Sequence, residues 1–288
     1  MKKLVVITGP TGVGKTEISV KLAQRFNAEI INADASQFRR GLNIGTAKIT
    51  IDEMQGVKHH LIDIIDTEDD FSIKDYQEMG RHIIDKVNKP FIVGGSGLYI
   101  QALITDYQLD DTPERNEDKF SHYSNEALYQ LLESLDKNAA MKLHPNNRRR
   151  VLRYIEIAQT KGSVTPVQKD YLYDVLVICL NRPRAELYNR INSRFDAMID
   201  SGWVEECINL KKQGVNLDNV KDIGYAEINK YLNGETEFDE IKEIIKQKTR
   251  RYAKRQMTWF RNKMDCHFID IEQHDDIIKL INQFYENA

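Results

Sequence analysis

Eight residues near the start constrain this chain more than any others. Gly9-Pro10-Thr11-Gly12-Val13-Gly14-Lys15-Thr16 fits the pattern G-x-x-x-x-G-K-[ST]. The pattern has a mechanical logic. Glycines let successive backbone N–H groups turn inward around phosphate oxygens, and a helix that starts there adds the positive end of its dipole. Lys15 supplies a mobile cation, and the Thr16 hydroxyl is placed to ligate Mg²⁺. The context agrees with the motif. Residues 4–8, Leu-Val-Val-Ile-Thr, read as a short buried strand, and residues 16–26 show helical spacing with Ile18, Leu22 and Ala23 on one face. A strand, a glycine-rich turn and a helix in this order predict a parallel α/β sheet with a phosphate-binding loop at one edge.

The remaining apolar runs extend that expectation. Ile30-Ile31, Phe91-Ile92-Val93 and residues 176–180 are short and do not alternate with polar residues, as expected of strands covered on both faces. Between the third and fourth runs the character changes. Leu128, Leu131, Leu132 and Leu135 keep helical spacing, as do Val151, Ile155 and Ala158. The expected organisation is therefore a core of residues 1–111 and 172–288, with a helical insertion over 112–171. Further helices are predicted over 184–199, 204–212 and 238–263.

Composition narrows the classes. The 288 residues are 41% hydrophobic and 30% charged, with a net charge of -3. Such a balance gives no global electrostatic pull toward nucleic acid, so any such partner must be met by local clusters. Cys179, Cys207 and Cys266 are far apart and form no C-x-x-C pair, which argues against a disulfide framework or a zinc site. The apolar run at 4–8 stops at Gly9-Pro10, short of the ~7–15 residues of a signal core. No stretch reaches the ~18–20 apolar residues of a membrane span. A cytoplasmic protein is expected.

The loop alone leaves the reaction open. It fits an NTPase, a small-molecule kinase that binds ATP, or an enzyme for which a pyrophosphate is the leaving group. Asp34, after the second strand, and Gly94-Gly95-Ser96-Gly97, after the third, fall on the same sheet edge as the loop. A carboxylate there is a candidate general base, or a turn residue. Arg190 and Arg194, one turn apart, could reach the pyrophosphate or form a surface pair. Asp63 or Asp66, after short apolar runs, could instead mark an NTPase, and adjacent His59-His60 reads as structural rather than metal-binding.

Two basic clusters stand out. Arg148-Arg149-Arg150 and Arg153 open one helix, and residues 246–263 carry many cations and no acid. Helical spacing groups Tyr252, Gln256 and Trp259 into a stripe flanked by Lys248, Arg251 and Arg255. Such runs are often solvated faces, yet cations beside aromatics also suit RNA phosphates and bases.

Taken in order, G-P-T-x-x-G-K-T, then residues 34–48 (Asp-Ala-Ser-Gln-Phe-Arg-Arg-Gly-Leu-Asn-Ile-Gly-Thr-Ala-Lys), His59-His60-Leu61-Ile62-Asp63, Gly94-Gly95-Ser96-Gly97-Leu98-Tyr99, His144-Pro145-Asn146, Ile223-Gly224-Tyr225 and residues 249–261 span nearly the whole chain. This series resembles the bacterial tRNA dimethylallyltransferases. The resemblance implies transfer of a dimethylallyl group from dimethylallyl diphosphate to N6 of an adenosine at position 37, beside the anticodon, by a monomer using Mg²⁺. It implies that Asp34 is the base, with Lys15 and Thr16 at the diphosphate. It implies tRNA contacts from Asp34, Ala35, Ser36, Gln37, Ser96, Arg115, Arg149, Arg150, Arg153, Lys221, Gly224, Tyr225, Lys254, Arg255, Gln256, Trp259 and Arg261. Ala35 stands where the family usually has Ser, Arg39 where Tyr is frequent, Asn147 where Asp is common, and Lys221 where Arg is common. A prenyltransferase acting on a free adenine nucleotide is the neighbouring alternative, and a phosphate-transferring kinase the distant one.

Overall fold

The computed structural model describes residues 1–107, 120–161 and 170–287. Its chain divides into two units, Met1–Tyr107 with Asp170–Ala288, and Gln108–Lys169.

In the larger unit the chain begins with β1 (Lys3–Thr8), α1 (Lys15–Phe26) and β2 (Glu29–Asn32), then continues through α2 (Ile51–Met54), β3 (His59–His60), α3 (Ile73–Lys86), β4 (Pro90–Val93) and α4 (Gly97–Ile104). The smaller unit contributes α5 (Asn125–Leu135), α6 (Lys137–Ala140) and α7 (Arg148–Lys161). The chain then returns to the larger unit as β5 (Asp174–Asn181), α8 (Arg184–Asp200), α9 (Trp203–Lys212), α10 (Tyr225–Leu232), α11 (Phe238–Lys263), β6 (His267–Asp270) and α12 (His274–Glu286).

Six strands of the described residues form one sheet in the order β3-β2-β4-β1-β5-β6, with every pairing parallel. The strands expected at residues 4–8, 30–31, 91–93 and 176–180 are its four inner members. Alternation along them explains their unbroken apolar character. Val5, Ile7, Ile30, Phe91, Ile178 and Leu180 join one hydrophobic cluster, whereas Leu4, Val6, Ile31, Ile92, Val177 and Cys179 join another. Each strand thus buries both its faces. The two outer strands, β3 and β6, carry His and Asp and have no apolar run, so neither was legible from pattern. Helices α1 and α8 contribute to the first cluster and α3 and α4 to the second.

A third cluster lies among α8, α9, α10 and α11, built around Phe195, Trp203, Tyr225, Ile241 and Ile245. Trp203 and Tyr225 meet edge to face at 5.8 Å between ring centroids. Gly224 caps the start of α10 with φ of 108°, and a Cβ there would stand 2.2 Å from the Trp203 ring. The smaller unit has its own core of Leu128, Leu132, Ala140, Val151 and Ile155, all without exposure. Arg148 stitches it together by donating to the Phe120 carbonyl (2.6 Å), the Tyr123 carbonyl (2.7 Å) and Asn125 Oδ1 (3.3 Å).

Two glycine substitutions separate backbone strain from overpacking. Gly214 also has positive φ (91°) but nothing within 4 Å of an added Cβ. Gly214→Ala should cost about 1 kcal/mol of strain, and Gly224→Ala about 2–4 kcal/mol because the indole must move as well. Differential scanning calorimetry should therefore show the larger fall in Tm for Gly224→Ala. Equal shifts would mean that the Trp203 contact contributes nothing.

Candidate functional site

The glycine-rich loop joins β1 to α1 at the carboxyl edge of the sheet. Side chains from distant elements hold it. Gln256, from α11, accepts the Thr11 N–H at 2.9 Å on its Oε1 and donates from Nε2 to the Gly95 carbonyl at 3.0 Å. Arg190 Nε, from α8, donates to the Gly12 carbonyl at 3.0 Å. Lys15 folds over the loop, with Nζ donating to the Gly9 and Pro10 carbonyls, both at 3.0 Å. Burial pushes its ammonium down to about 8, against the opposing pull of Asp34. Arg194, one turn beyond Arg190 and also withdrawn from water, has its guanidinium lowered by burial and faces Asp34. Two buried cations beside the loop suit this compartment to receive an anion.

Asp34 follows β2 and is held through its backbone. The Asn32 side chain accepts the Asp34 N–H (3.0 Å) and donates to the Asp34 carbonyl (3.1 Å) and the Leu61 carbonyl (2.9 Å). Asp34 then caps the 3-10 turn Ala35–Gln37, its Oδ1 accepting the Ser36 N–H at 3.3 Å. The Ala35 N–H donates to Ser96 Oγ at 3.2 Å, which links this turn to the end of β4. The two strand ends approach closely at Gly94, where a Cβ would lie 2.1 Å from the Ala33 carbonyl oxygen. No larger residue fits there without parting β2 from β4.

Asp34 lines three cavities, one of only about 40 Å³ and two much larger. One of about 620 Å³ is lined by Thr11, Lys15, Thr16, Gln37, Arg190 and Arg194, among others, and is strongly polar. The second, of about 390 Å³, runs from Asp34, Ser36 and Ser96 to an apolar side formed by Ile191, Phe195, Met198, Trp203 and Ile245. Lys221, Tyr252 and Arg255 also line it. The Tyr252 hydroxyl is raised to well above its ordinary range by burial, with Asp34 and Asp222 adding to the effect and a hydrogen bond from Ser96 opposing it. Thr16 offers a hard hydroxyl oxygen in the polar cavity, and no group of three or more His, Cys, Asp or Glu capable of holding a metal occurs among the described residues. That donor set fits Mg²⁺ held largely by phosphate oxygens rather than a metal caged by protein.

The expected RNA contacts divide into two groups. Lys254, Arg255 and Trp259 line a shallow basic cavity of about 540 Å³ along α11, and Arg261 is exposed beyond it. Lys221 is exposed. In the smaller unit Arg149 and Arg150 are exposed, Arg150 lies 5.6 Å from the Tyr154 ring centroid, and Arg153 pairs with Glu156 at 3.7 Å. Gln256 and Tyr225 correct the expectation. Gln256 is 6% exposed, because the phase of α11 turns it inward with Ala253, Met257 and Phe260, and both ends of its amide are engaged. Tyr225 is fully buried, with its hydroxyl donating to Glu206 Oε1 at 2.7 Å. Gly224 is likewise buried against Trp203. Arg115 lies outside the described residues.

The competing readings also find their places. Asp63 pairs with Lys48 and Asp66 with Arg40 (2.9 Å), so neither points to an NTPase metal. His60 meets Glu29 at 2.6 Å and His59 the Val57 carbonyl at 2.8 Å, both structural. The three cysteines are free thiols. No helix of the described residues is long and apolar enough to cross a membrane. Pattern did not single out Asp222, which accepts the Ser36 hydroxyl, or Glu206, whose carboxylate gathers the N–H groups of Asn43 (2.9 Å), Ile44 (2.7 Å) and Gly45 (3.2 Å). An acid inside an otherwise ordinary helix or turn carries no signal until its partners are known.

Known proteins are similar to almost the whole of this chain. A tRNA dimethylallyltransferase from Bacillus cytotoxicus is 42% identical, with 97% of this chain and 94% of that protein covered. One from Staphylococcus carnosus is 43% identical, covering 94% and 92%. The crystal structure of a full-length tRNA isopentenylpyrophosphate transferase from Bacillus halodurans matches with a TM-score of 0.75 at 39% identity, covering 99% of each chain. That of a eukaryotic dimethylallyltransferase acting on tRNA matches with a TM-score of 0.83 at 27% identity, covering all of this chain and 80% of that one. Residues 37–263 match the IPP transferase family, and with this coverage, this sheet and this loop the chain belongs to it.

Proposed function

We propose that this chain transfers the dimethylallyl group of dimethylallyl diphosphate to N6 of adenosine 37 in tRNA and releases diphosphate. The observation that carries the reading is the position of Asp34 in the common wall of a cationic cavity and a partly apolar one. A donor has both characters, a diphosphate head and a five-carbon tail, and the acceptor amine must meet their junction.

Each residue then has a chemical task. The loop amides of residues 9–16 with Lys15 and Arg194 take the diphosphate, and the Thr16 hydroxyl is the protein oxygen for Mg²⁺, which would neutralise the departing charge. Ile191, Phe195, Met198 and Trp203 receive the dimethylallyl tail and keep water from the allylic carbon. The N6 nitrogen bonds to that carbon as its C–O bond to diphosphate breaks, and the electron pair leaves on diphosphate oxygen. Asp34 accepts the proton lost by N6. The adenine amine is a poor nucleophile, since its lone pair is delocalised into the ring, and a carboxylate hydrogen-bonded to it raises its reactivity. Gln37 lies close enough to hold a base edge, with its side chain in the same cavity wall as Lys15 and Asp34.

The target base must leave the anticodon-loop stack to reach Asp34. Lys254, Arg255, Trp259, Arg261 and Lys221 of the larger unit would bear RNA phosphates and bases, as would Arg149, Arg150 and Arg153 of the helical insertion. The donor loop, base and cavity all come from one chain, so the acting unit is taken as a monomer. Its place is the cytoplasm, where the RNA is.

Labelled dimethylallyl diphosphate incubated with unmodified tRNA, with AMP and ATP as controls, tests the reading. Prenyladenosine recovered from digested tRNA supports it, label on AMP favours the free-nucleotide acceptor, and phosphate transfer without prenylation favours a kinase. Asp34→Asn should lower kcat by about 10²–10⁴-fold with little change in donor KM; normal turnover would remove Asp34 from the role of base.

Lys15 sets the alkaline behaviour. With burial pushing its ammonium down to about 8, donor binding, which favours the charged form, takes up a proton above that pH. Donor KM should therefore rise as pH passes 8, by up to about tenfold per unit, while Lys15→Met binds weakly and shows no such rise. A flat KM profile for the native enzyme between pH 7 and 9.5 would contradict this. On the RNA side, Lys254→Ala with Arg261→Ala should reduce the slope of log K against log salt for tRNA binding by about 1–2. An unchanged slope would place the RNA elsewhere.

A further inference from the structure

Asp222 stands in the short segment between the 3-10 turn Leu217–Asn219 and α10. Its Oδ1 accepts the hydroxyl of Ser36, while the backbone N–H of the same Ser36 donates to Asp34 Oδ1 at 3.3 Å. One serine therefore bridges two carboxylates that come from opposite ends of the chain. All three residues line the 390 Å³ cavity.

The bridge matters because of how loosely the Asp34 carboxylate is otherwise held. Asn32 fixes its backbone, but the Ser36 N–H is the hydrogen bond to its side chain, and 3.3 Å is long for such a contact. A general base displaced by about 1 Å can lose about a hundredfold in rate. Whatever pins the turn Ala35–Gln37 thus sets where the base points. Three contacts do so from outside the turn: Ser96 Oγ accepts the Ala35 N–H, Asp222 accepts the Ser36 hydroxyl, and the Gln37 carbonyl accepts the Asp63 N–H at 3.1 Å; of these the Asp222 contact falls on Ser36 itself.

We propose that Asp222 is a positioning residue for prenyl transfer, holding Ser36 so that Asp34 keeps the rotamer that meets the acceptor amine. The inference rests on the role given to Asp34 above. Asp222 acts through Ser36.

Its setting is not one that favours a carboxylate for stability. Burial pushes Asp222 up, and Asp34 adds to this, against the Ser36 hydrogen bond and the more distant Arg39 and Lys48; Tyr252 also faces it from α11, and Lys221 adjoins it. An acid whose pKa rises on folding adds to stability below its unfolded pKa and loses that contribution as pH rises through the folded one, so ionised Asp222 is a cost to the fold. A purely structural role would have the opposite signature on removal. Activity and stability should therefore separate when Asp222 is changed.

The experiment measures steady-state prenylation of tRNA and thermal unfolding for the native enzyme, Asp222→Ala, Asp222→Asn, Ser36→Ala and the Ser36→Ala/Asp222→Ala double variant. Asp222→Ala and Ser36→Ala should each lower kcat about tenfold, with KM for dimethylallyl diphosphate within about twofold, and the double variant should be no slower than either single. Asp222→Asn, whose amide oxygen accepts the same hydroxyl, should recover most of that loss without lowering Tm. Native kcat in Asp222→Ala, losses that multiply in the double variant, or a kcat loss in Asp222→Asn equal to that in Asp222→Ala would overturn the inference while leaving the prenylation reading intact. A native enzyme that leaves tRNA unprenylated would overturn both.

Discussion

Parallel pairing of β2, β4, β1 and β5 brings four strand ends to one edge of the sheet, and the groups assigned to the donor and to proton transfer hang from that edge or are aimed at it. The phosphate-binding loop follows β1, Asp34 follows β2 and Ser96 follows β4. Their mutual positions are set by backbone hydrogen bonds across the sheet, such as Ala33 N–H to the Val93 carbonyl at 2.7 Å and Ser96 N–H to the Ala33 carbonyl at 3.2 Å. Thr8 extends the ladder with its hydroxyl, donating to the Gly94 carbonyl at 2.7 Å. A shift of one residue in any of these pairings would exchange the two buried faces of a strand, so the core enforces the register and the register places the site.

Helices complete what the sheet begins. From α11, Gln256 ties the loop to the end of β4, while Tyr252 reaches the cavity one turn earlier. From α8, Arg190 and Arg194 approach the loop on its far side, and Ile191 and Phe195 supply the apolar wall. The helical period of about 3.6 residues lets one helix present cations and hydrophobes to neighbouring compartments. The site is thus bipolar by construction: a cationic compartment in which burial already disfavours the charge on Lys15, beside a partly apolar one. Charge developing on a departing diphosphate is stabilised most where the surrounding dipoles are already oriented and the dielectric is low.

Polar groups buried in this region are also the ones that hold the architecture. Glu206 gathers three backbone N–H groups and the Tyr225 hydroxyl, which fixes the segment around Gly45 beside Trp203. Lys246, 7% exposed on α11, meets Asp196 of α8 at 2.8 and 3.0 Å. Such pairs define which arrangement of helices is correct, because any other leaves a charge without a partner.

Much of this could be read from the chain itself. The loop motif, its strand and its helix are local features, decided within about 25 residues by glycine, β-branched residues and helical spacing, and the inner strands announce themselves as apolar runs. The loop motif and the strand pattern carried Asp34, Lys15 and Thr16 to the same edge, and family resemblance suggested the task of Asp34. What the residues could not disclose is which partners meet across long separations. Gln256 looked like part of an RNA-facing stripe because Tyr252 and Trp259 flank it at helical spacing, yet only the docking of α11 on the sheet decides that the amide turns inward to the loop. Tyr225 and Asp222 follow the same rule: their burial and their partners, Glu206 for the first and Ser36, 186 positions away, for the second, arise only when the segments are packed together. Local propensity and periodicity are properties of a segment, whereas the electrostatic environment of a side chain is a property of the folded whole.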